Sequence, residues 1–156
     1  AEYFNSLSVV PVSISYEFDP NDQLKAMELD LSELNNKYVK EKDEDLKSIA
    51  NGITGFKGRV TLNISEPMAF EPNDNYQEIS NKITNSILKM YELHPTNYAA
   101  CNLLGWDWQG QTNFSSKEIN LAQKELDKRT KPLGTSARSK LLEQYANPVI
   151  RKLQSH

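Results

Sequence analysis

Histidine and cysteine most often carry proton transfer, nucleophilic attack and metal ligation, and this chain of 156 residues holds only His94, His156 and Cys101. His94 opens the stretch His94-Pro95-Thr96-Asn97-Tyr98-Ala99, and His156 is the last residue, where chains fray. A Ser/His/Asp or Cys/His hydrolase would have to rest on His94 with a partner far away in sequence. The simpler expectation makes His94 a helix-start or loop residue. Cys101 has no second thiol with which to close a disulfide or build a zinc site. No catalytic residue and no metal ligand is therefore assigned.

Three other clusters have a chemical and a structural reading. Gly52-Ile53-Thr54-Gly55-Phe56-Lys57-Gly58 leads from a helix into a strand. Phosphate cradles run from strand into helix so that the helix N-terminus faces the anion, so a helix end and turn are expected here, with Lys57 and Arg59 the residues that would meet a phosphate. Asp43-Glu44-Asp45 suits the positive end of a helix without any ion. Trp106-Asp107-Trp108, between Gly105 and Gly110, would serve as a partner or membrane-interface contact, or as a loop packed over the helices, which is the expectation. The sequons at Asn63 and Asn113 would matter only in a secreted protein.

Composition limits the partners. With 18 basic and 21 acidic residues spread along the chain and a net charge of -3, no basic stripe is present to bind nucleic acid. The longest apolar run, Val9-Val10-Pro11-Val12, is far short of the ~20 residues that span a bilayer. A cytoplasmic protein is expected, at most peripheral to the inner membrane.

The elements that would position these residues divide the chain. Val10, Val12, Ile14, Tyr16 and Phe18 alternate with Pro11, Ser13, Ser15 and Glu17, the period-two pattern of a half-buried strand. Pro11 lacks a ladder N–H and belongs at an edge, a bulge or the strand's beginning. After Asp19-Pro20-Asn21-Asp22, the residues Leu24, Met27, Leu31, Leu34 and Tyr38 recur at helical spacing and predict an amphipathic helix. Leu46, Ile49, Ala50 and Ile53 mark a shorter helix, and Val60, Leu62 and Ile64 a second strand closed by Glu66-Pro67. Beyond Pro72 the pattern is helical: Tyr76 to Met90, Pro95 to Leu104, Ser116 to Arg129 and Ala137 to Leu153, with Ser115 and Glu118 forming a capping box. Two strands alone make a marginal sheet, so strands are missing from this one and are expected before Ala1 or in another chain.

The segment Val9-Val10-Pro11-Val12-Ser13-Ile14-Ser15-Tyr16-Glu17 resembles the fourth sequence block of the glycerol-phosphate and lysophosphatidate acyltransferase family, an apolar strand with Val-Pro followed by an aliphatic residue. Tyr16-Glu17-Phe18-Asp19-Pro20, Leu24-Lys25-Ala26, Glu44-Asp45-Leu46 and Gly55 to Val60 are similar to a bacterial subgroup of glycerol acyltransferases. His94 to Asn102 and Tyr145-Ala146-Asn147-Pro148 are similar to that subgroup's tail. The family's catalytic block is His, four residues, then Asp; the fifth residue after His94 is Ala99, so His94 does not supply it. The Gly/Phe/Arg and Glu-Gly-Thr-Arg blocks are absent too.

The resemblance implies an α/β chain: residues 1–72 as the rear part of an acyltransferase domain with two strands, and 73–156 as a helical C-terminal region. The remainder of the domain, with its His-Asp pair, would lie upstream of Ala1. It implies transfer of a fatty acyl group from acyl-CoA or acyl carrier protein to a glycerol-phosphate or related lipid acceptor, with no activity in this chain alone. Val10, Pro11 and Val12 would line or shape the acyl and acceptor site. The rival expectation is a non-enzymatic helical interaction module whose strand pair completes a partner's sheet and whose Trp106/Trp108 loop makes contact.

Overall fold

A computed structural model describes residues 1–35, 38–40, 42–108 and 112–154. The expectations for His156 and Gly110 lie outside those residues. The fold is mixed and mostly helical, 61% helix, with one sheet of two strands among the described residues.

The strands run antiparallel. β1 (Val12–Tyr16) pairs with β2 (Val60–Ile64), with Val12 opposite Ile64, Ile14 opposite Leu62 and Tyr16 opposite Val60. Pro11 precedes β1, where its missing N–H costs no ladder bond, and its carbonyl accepts from Ser65 N at 3.0 Å. Before the ribbon comes α1 (Glu2–Ser6), too short to stand by itself. Asn5 holds it by bonding both main-chain groups of one residue, donating Nδ2 to Phe70 O at 2.9 Å and accepting at Oδ1 from Phe70 N at 2.8 Å.

Between the strands lie α2 (Asp22–Asn35) and α3 (Glu44–Thr54). Gly55 caps α3, and a Cβ there would lie 2.5 Å from both Asn51 O and Pro20 Cβ, so only glycine fits against the preceding turn. Gly58 then turns the chain into β2 at φ 64°, a left-handed conformation that side chains disfavour.

The second half is α4 (Tyr76–Met90), α5 (Pro95–Leu104), α6 (Ser116–Thr130) and α7 (Thr135–Gln154). Local chemistry sets their ends. Asn75 and Glu78 form a capping box at α4, and Ser115 and Glu118 form one at α6. Gly105, at φ 68°, stops α5, with Trp106 N returning to Cys101 O at 2.9 Å. α5 lies against α6 and α7, where Ala99, Ala100 and Ala146 let the helices approach closely around Leu126, Leu141 and Tyr145. Asn97, buried on α5, donates Nδ2 to Tyr145 O at 2.8 Å.

α2 reaches this core through Ala26, which is fully buried, and through Lys140 on α7, which pairs with Glu33 at 2.6 Å. The predicted apolar stripe of α2 points elsewhere: Leu24, Met27, Leu31 and Leu34 are all exposed. So are Leu46, Ile49 and Ile53, and α3 buries no residue. The ribbon is inverted in the same way, with Val12, Ile14, Tyr16, Val60, Leu62 and Ile64 open to solvent and Ser13 and Ser15 buried. Among the described large hydrophobic residues that are exposed, only Tyr76, Leu121 and Leu153 lie beyond residue 72. The helical half encloses the core, and the front part rests on it through Ala26 and the serine face of the ribbon.

Candidate functional site

The serine face of β1 rests on the N-terminal end of α5 and on α4. Thr96 Oγ1 donates to Glu17 O at 2.8 Å, and Asn63 on β2 donates Nδ2 to Met90 O at 2.7 Å. His94 is the N-cap residue of α5, as a helix-start residue should be. Its N–H donates to Asn97 Oδ1 at 2.6 Å, and its carbonyl accepts from Asn97 N at 3.0 Å. The imidazole is 4% exposed and hydrogen-bonds the Ser15 main chain. Burial is the main force that pulls its pKa below the ordinary 6.5, with Arg59 pushing the same way and Glu17 opposing. Among the described residues Nε2 has no partner, and neither do the hydroxyls of Ser13 and Ser15.

This arrangement does not suit a general base. A neutral buried ring has the right protonation state, but His94 has no carboxylate hydrogen-bonded to it among the described residues and no open approach for a substrate. Glu17, the nearest acid in charge terms, pairs instead with Arg59 at 3.2 Å. Burial alone would raise the Glu17 carboxyl, and the hydrogen bonds and charge of Arg59 outweigh it and leave it lowered.

Val10, Pro11 and Val12 lie at the entry to β1. Val10 and Val12 are 40% and 45% exposed, and Pro11 is buried. Val10 and Val12 therefore belong to the open apolar side of the ribbon, and Pro11, in step with Ser13 and Ser15, to its buried side.

The other sequence clusters resolve structurally. Asp43, Glu44 and Asp45 stand at the start of α3, and Asp45 pairs with Lys40 at 2.6 Å. Among the described residues no group of three or more His, Cys, Asp and Glu could hold a metal ion. Trp106 and Trp108 pack against the helical core. Trp108 Nε1 donates to Asn102 Oδ1 at 2.8 Å, and its ring meets Tyr98 edge-on at 4.9 Å. Lys57 folds back on the end of α3, donating to Ile53 O and Gly55 O. Among the described residues no helix is long and apolar enough to cross a membrane.

One polar centre was not legible in the sequence. Asp22, the first residue of α2 and 1% exposed, accepts from Arg129 Nε at 2.6 Å and from the Tyr145 hydroxyl at 2.7 Å. Asp19 N donates to the same hydroxyl at 2.8 Å, and Arg129 Nη2 donates to Asp19 O at 2.9 Å. Burial first, and then the Asp22 charge, raise the Tyr145 pKa. The Arg129 guanidinium also lies 5.5 Å from the Phe18 ring centre. Every described polar group in this centre meets another, so it works as a joint between the strand–helix corner and the helical core rather than as a reactive site.

Comparison with family models, curated proteins and solved structures finds no match to this chain.

Proposed function

We propose that this chain is the rear part of a glycerolipid acyltransferase domain, a family that transfers a fatty acyl group from acyl-CoA or acyl carrier protein to a glycerol-phosphate or related lipid acceptor. The observation that supports it is the inverted ribbon. Both strands alternate as sheet strands do, yet their apolar side faces solvent while Ser13 and Ser15 face the helices. α2 and α3 likewise turn their apolar stripes outward. An α/β sheet carries helical layers on both faces, and here, among the described residues, one face has its layer and the other has none.

The Val-Pro strand gives this layered half its family resemblance. Val10, Pro11 and Val12 act as support and apolar contact at the edge of the acyl and acceptor site, while the general base and its orienting carboxylate come from the rest of the domain. The assay is acyl transfer from acyl-CoA and from acyl carrier protein to glycerol 3-phosphate and to lysophosphatidate. The isolated chain is expected to give none. Turnover that persists after His94→Ala would overturn the proposal.

The second reading, an interaction module that completes the sheet of a separate partner, is favoured by the outer edges of both strands, which are unpaired among the described residues. The Trp106/Trp108 loop adds nothing to it, because both rings pack on the chain's own core.

A further inference from the structure

We propose that β1 is an interior strand. A further strand of the same domain pairs with the edge formed by Val12, Ile14 and Tyr16, and turns small hydrogen-bonding side chains toward Ser13 and Ser15. The inference rests on the reading above that part of this domain's sheet lies outside the chain; it does not depend on the reaction.

The register fixes which backbone groups are free. Glu17 N donates to Arg59 O at 2.8 Å and Ser65 N to Pro11 O at 3.0 Å, and both pairs obey the same register as Ser13 with Asn63 and Ser15 with Thr61. In an antiparallel pair the inward-facing residues alternate with outward-facing ones. The N–H and C=O groups of Val12, Ile14 and Tyr16 therefore point away from β2, and those of Val60, Leu62 and Ile64 point away from β1. Natural sheet edges carry charges or prolines that discourage pairing. Val12–Tyr16 reads VSISY and Val60–Ile64 reads VTLNI, with neither.

Burial decides which edge is continued. Ser13 and Ser15 are 2% and 1% exposed, whereas Thr61 and Asn63 on the same face of β2 are half-buried. The supporting helices thus cover β1 more closely than β2. β2 lies nearer the rim, where Arg59 pairs with Glu17 and stands 5.6 Å from the Phe114 ring centre.

The unpartnered atoms say what the added strand carries. Ser13 Oγ, Ser15 Oγ and His94 Nε2 are buried without a hydrogen bond, a state that costs roughly 1–3 kcal/mol per group. Side chains opposite one another on neighbouring strands lie about 5 Å apart, within reach of a serine or threonine hydroxyl. Its other face, beside Val12, Ile14 and Tyr16, would be aliphatic. A lipid surface would cover the apolar face but would leave the edge groups and the serines unbonded.

The test fuses a strand of about seven alternating valines and threonines ahead of Ala1 through a Gly/Ser linker of about twenty residues, which holds it at millimolar effective concentration. The control fusion has proline in place of each threonine and cannot pair. Amide hydrogen exchange is read residue by residue, with unchanged protection at Leu126 and Leu141 showing that both fusions are folded. The expected result is exchange slowed about tenfold or more at Val12, Ile14 and Tyr16 in the threonine fusion alone. Unchanged exchange there, or slowing at Val60, Leu62 and Ile64 instead, would overturn the inference. Acyl transfer by the isolated chain that persists after His94→Ala would sink the reading of the chain as an inactive part of an acyltransferase and leave this amide pattern untouched.

Discussion

Replacing Ser15 by alanine is expected to stabilise the isolated chain. The side chain is 1% exposed and its hydroxyl has no partner, so folding strips the group of water and returns nothing. The desolvation cost of such a group is about 1–3 kcal/mol. Removing one oxygen leaves a void smaller than a methyl group, which returns part of that, so the net gain is about 1 kcal/mol. For a chain of 156 residues this raises the thermal midpoint by about 2–4 °C. Thr96 is the matched control. It is as deeply buried, but its hydroxyl donates to Glu17 O at 2.8 Å, so Thr96→Ala leaves that carbonyl short of a donor and costs about 1–2 kcal/mol. Urea titration of the two variants beside the parent, at a concentration where the chain is monomeric, reads both signs together. A loss of more than about 1 kcal/mol in Ser15→Ala would mean that the hydroxyl has a partner, and the account of the serine face would fail.

Three more outcomes follow from the same contacts. Asp22→Ala should destabilise by about 3 kcal/mol, the low end for breaking a buried pair, because Arg129 keeps 25% exposure and recovers some water; Asp22→Asn, which removes the charge but keeps one oxygen for Arg129 and the Tyr145 hydroxyl, should cost about half of that by urea titration, and an Asn variant as stable as the parent would remove charge from the explanation. Burial lowers the His94 pKa in the folded state, so the unfolded chain takes up the proton first, and stability should be lost as pH falls below about 6.5. Glu17, whose folded pKa is also lowered, adds a separate loss below about pH 4.5, and His94→Gln should flatten only the upper slope of a stability–pH curve. The Cys101 thiol, fully buried and pushed up to about 11 by burial, should react with a disulfide reagent at pH 8 only as fast as the chain unfolds; a fast native-state reaction would contradict its burial.

The sequence pattern located nearly every element but did not say which face of the front ones the helical half would take. Helix periodicity and caps placed α4 to α7 within a few residues, because Ile79 and the Ser115/Glu118 box act locally. In the front half the alternation of Val12, Ile14 and Tyr16 identified a strand, and the spacing of Leu24, Met27, Leu31 and Leu34 a helix. Periodicity reports that one face is apolar; it does not report what covers it. Here the helices of the same chain took the opposite faces, through Ala26 and the serines. α1 escaped notice because five residues carry too little periodic signal, and its hold comes from Phe70, distant in sequence. The Asp22–Arg129–Tyr145 joint was invisible for the same reason: Asp22 reads locally as a helix cap and Arg129 as a favourable charge at a helix end, and nothing near either announces a partner more than a hundred residues away.

Hydroxyl-radical footprinting, with oxidation measured residue by residue in the monomeric chain, tests the central claim most directly. The account predicts that Ile14, Leu62, Leu31 and Ile53 are modified at the rate of exposed side chains while Leu126 and Leu141 are protected, in line with their burial. Protection of the first four to the level of the second two would mean that the front half closes a core of its own, and would contradict the reading of this chain as one layer of a larger sheet domain.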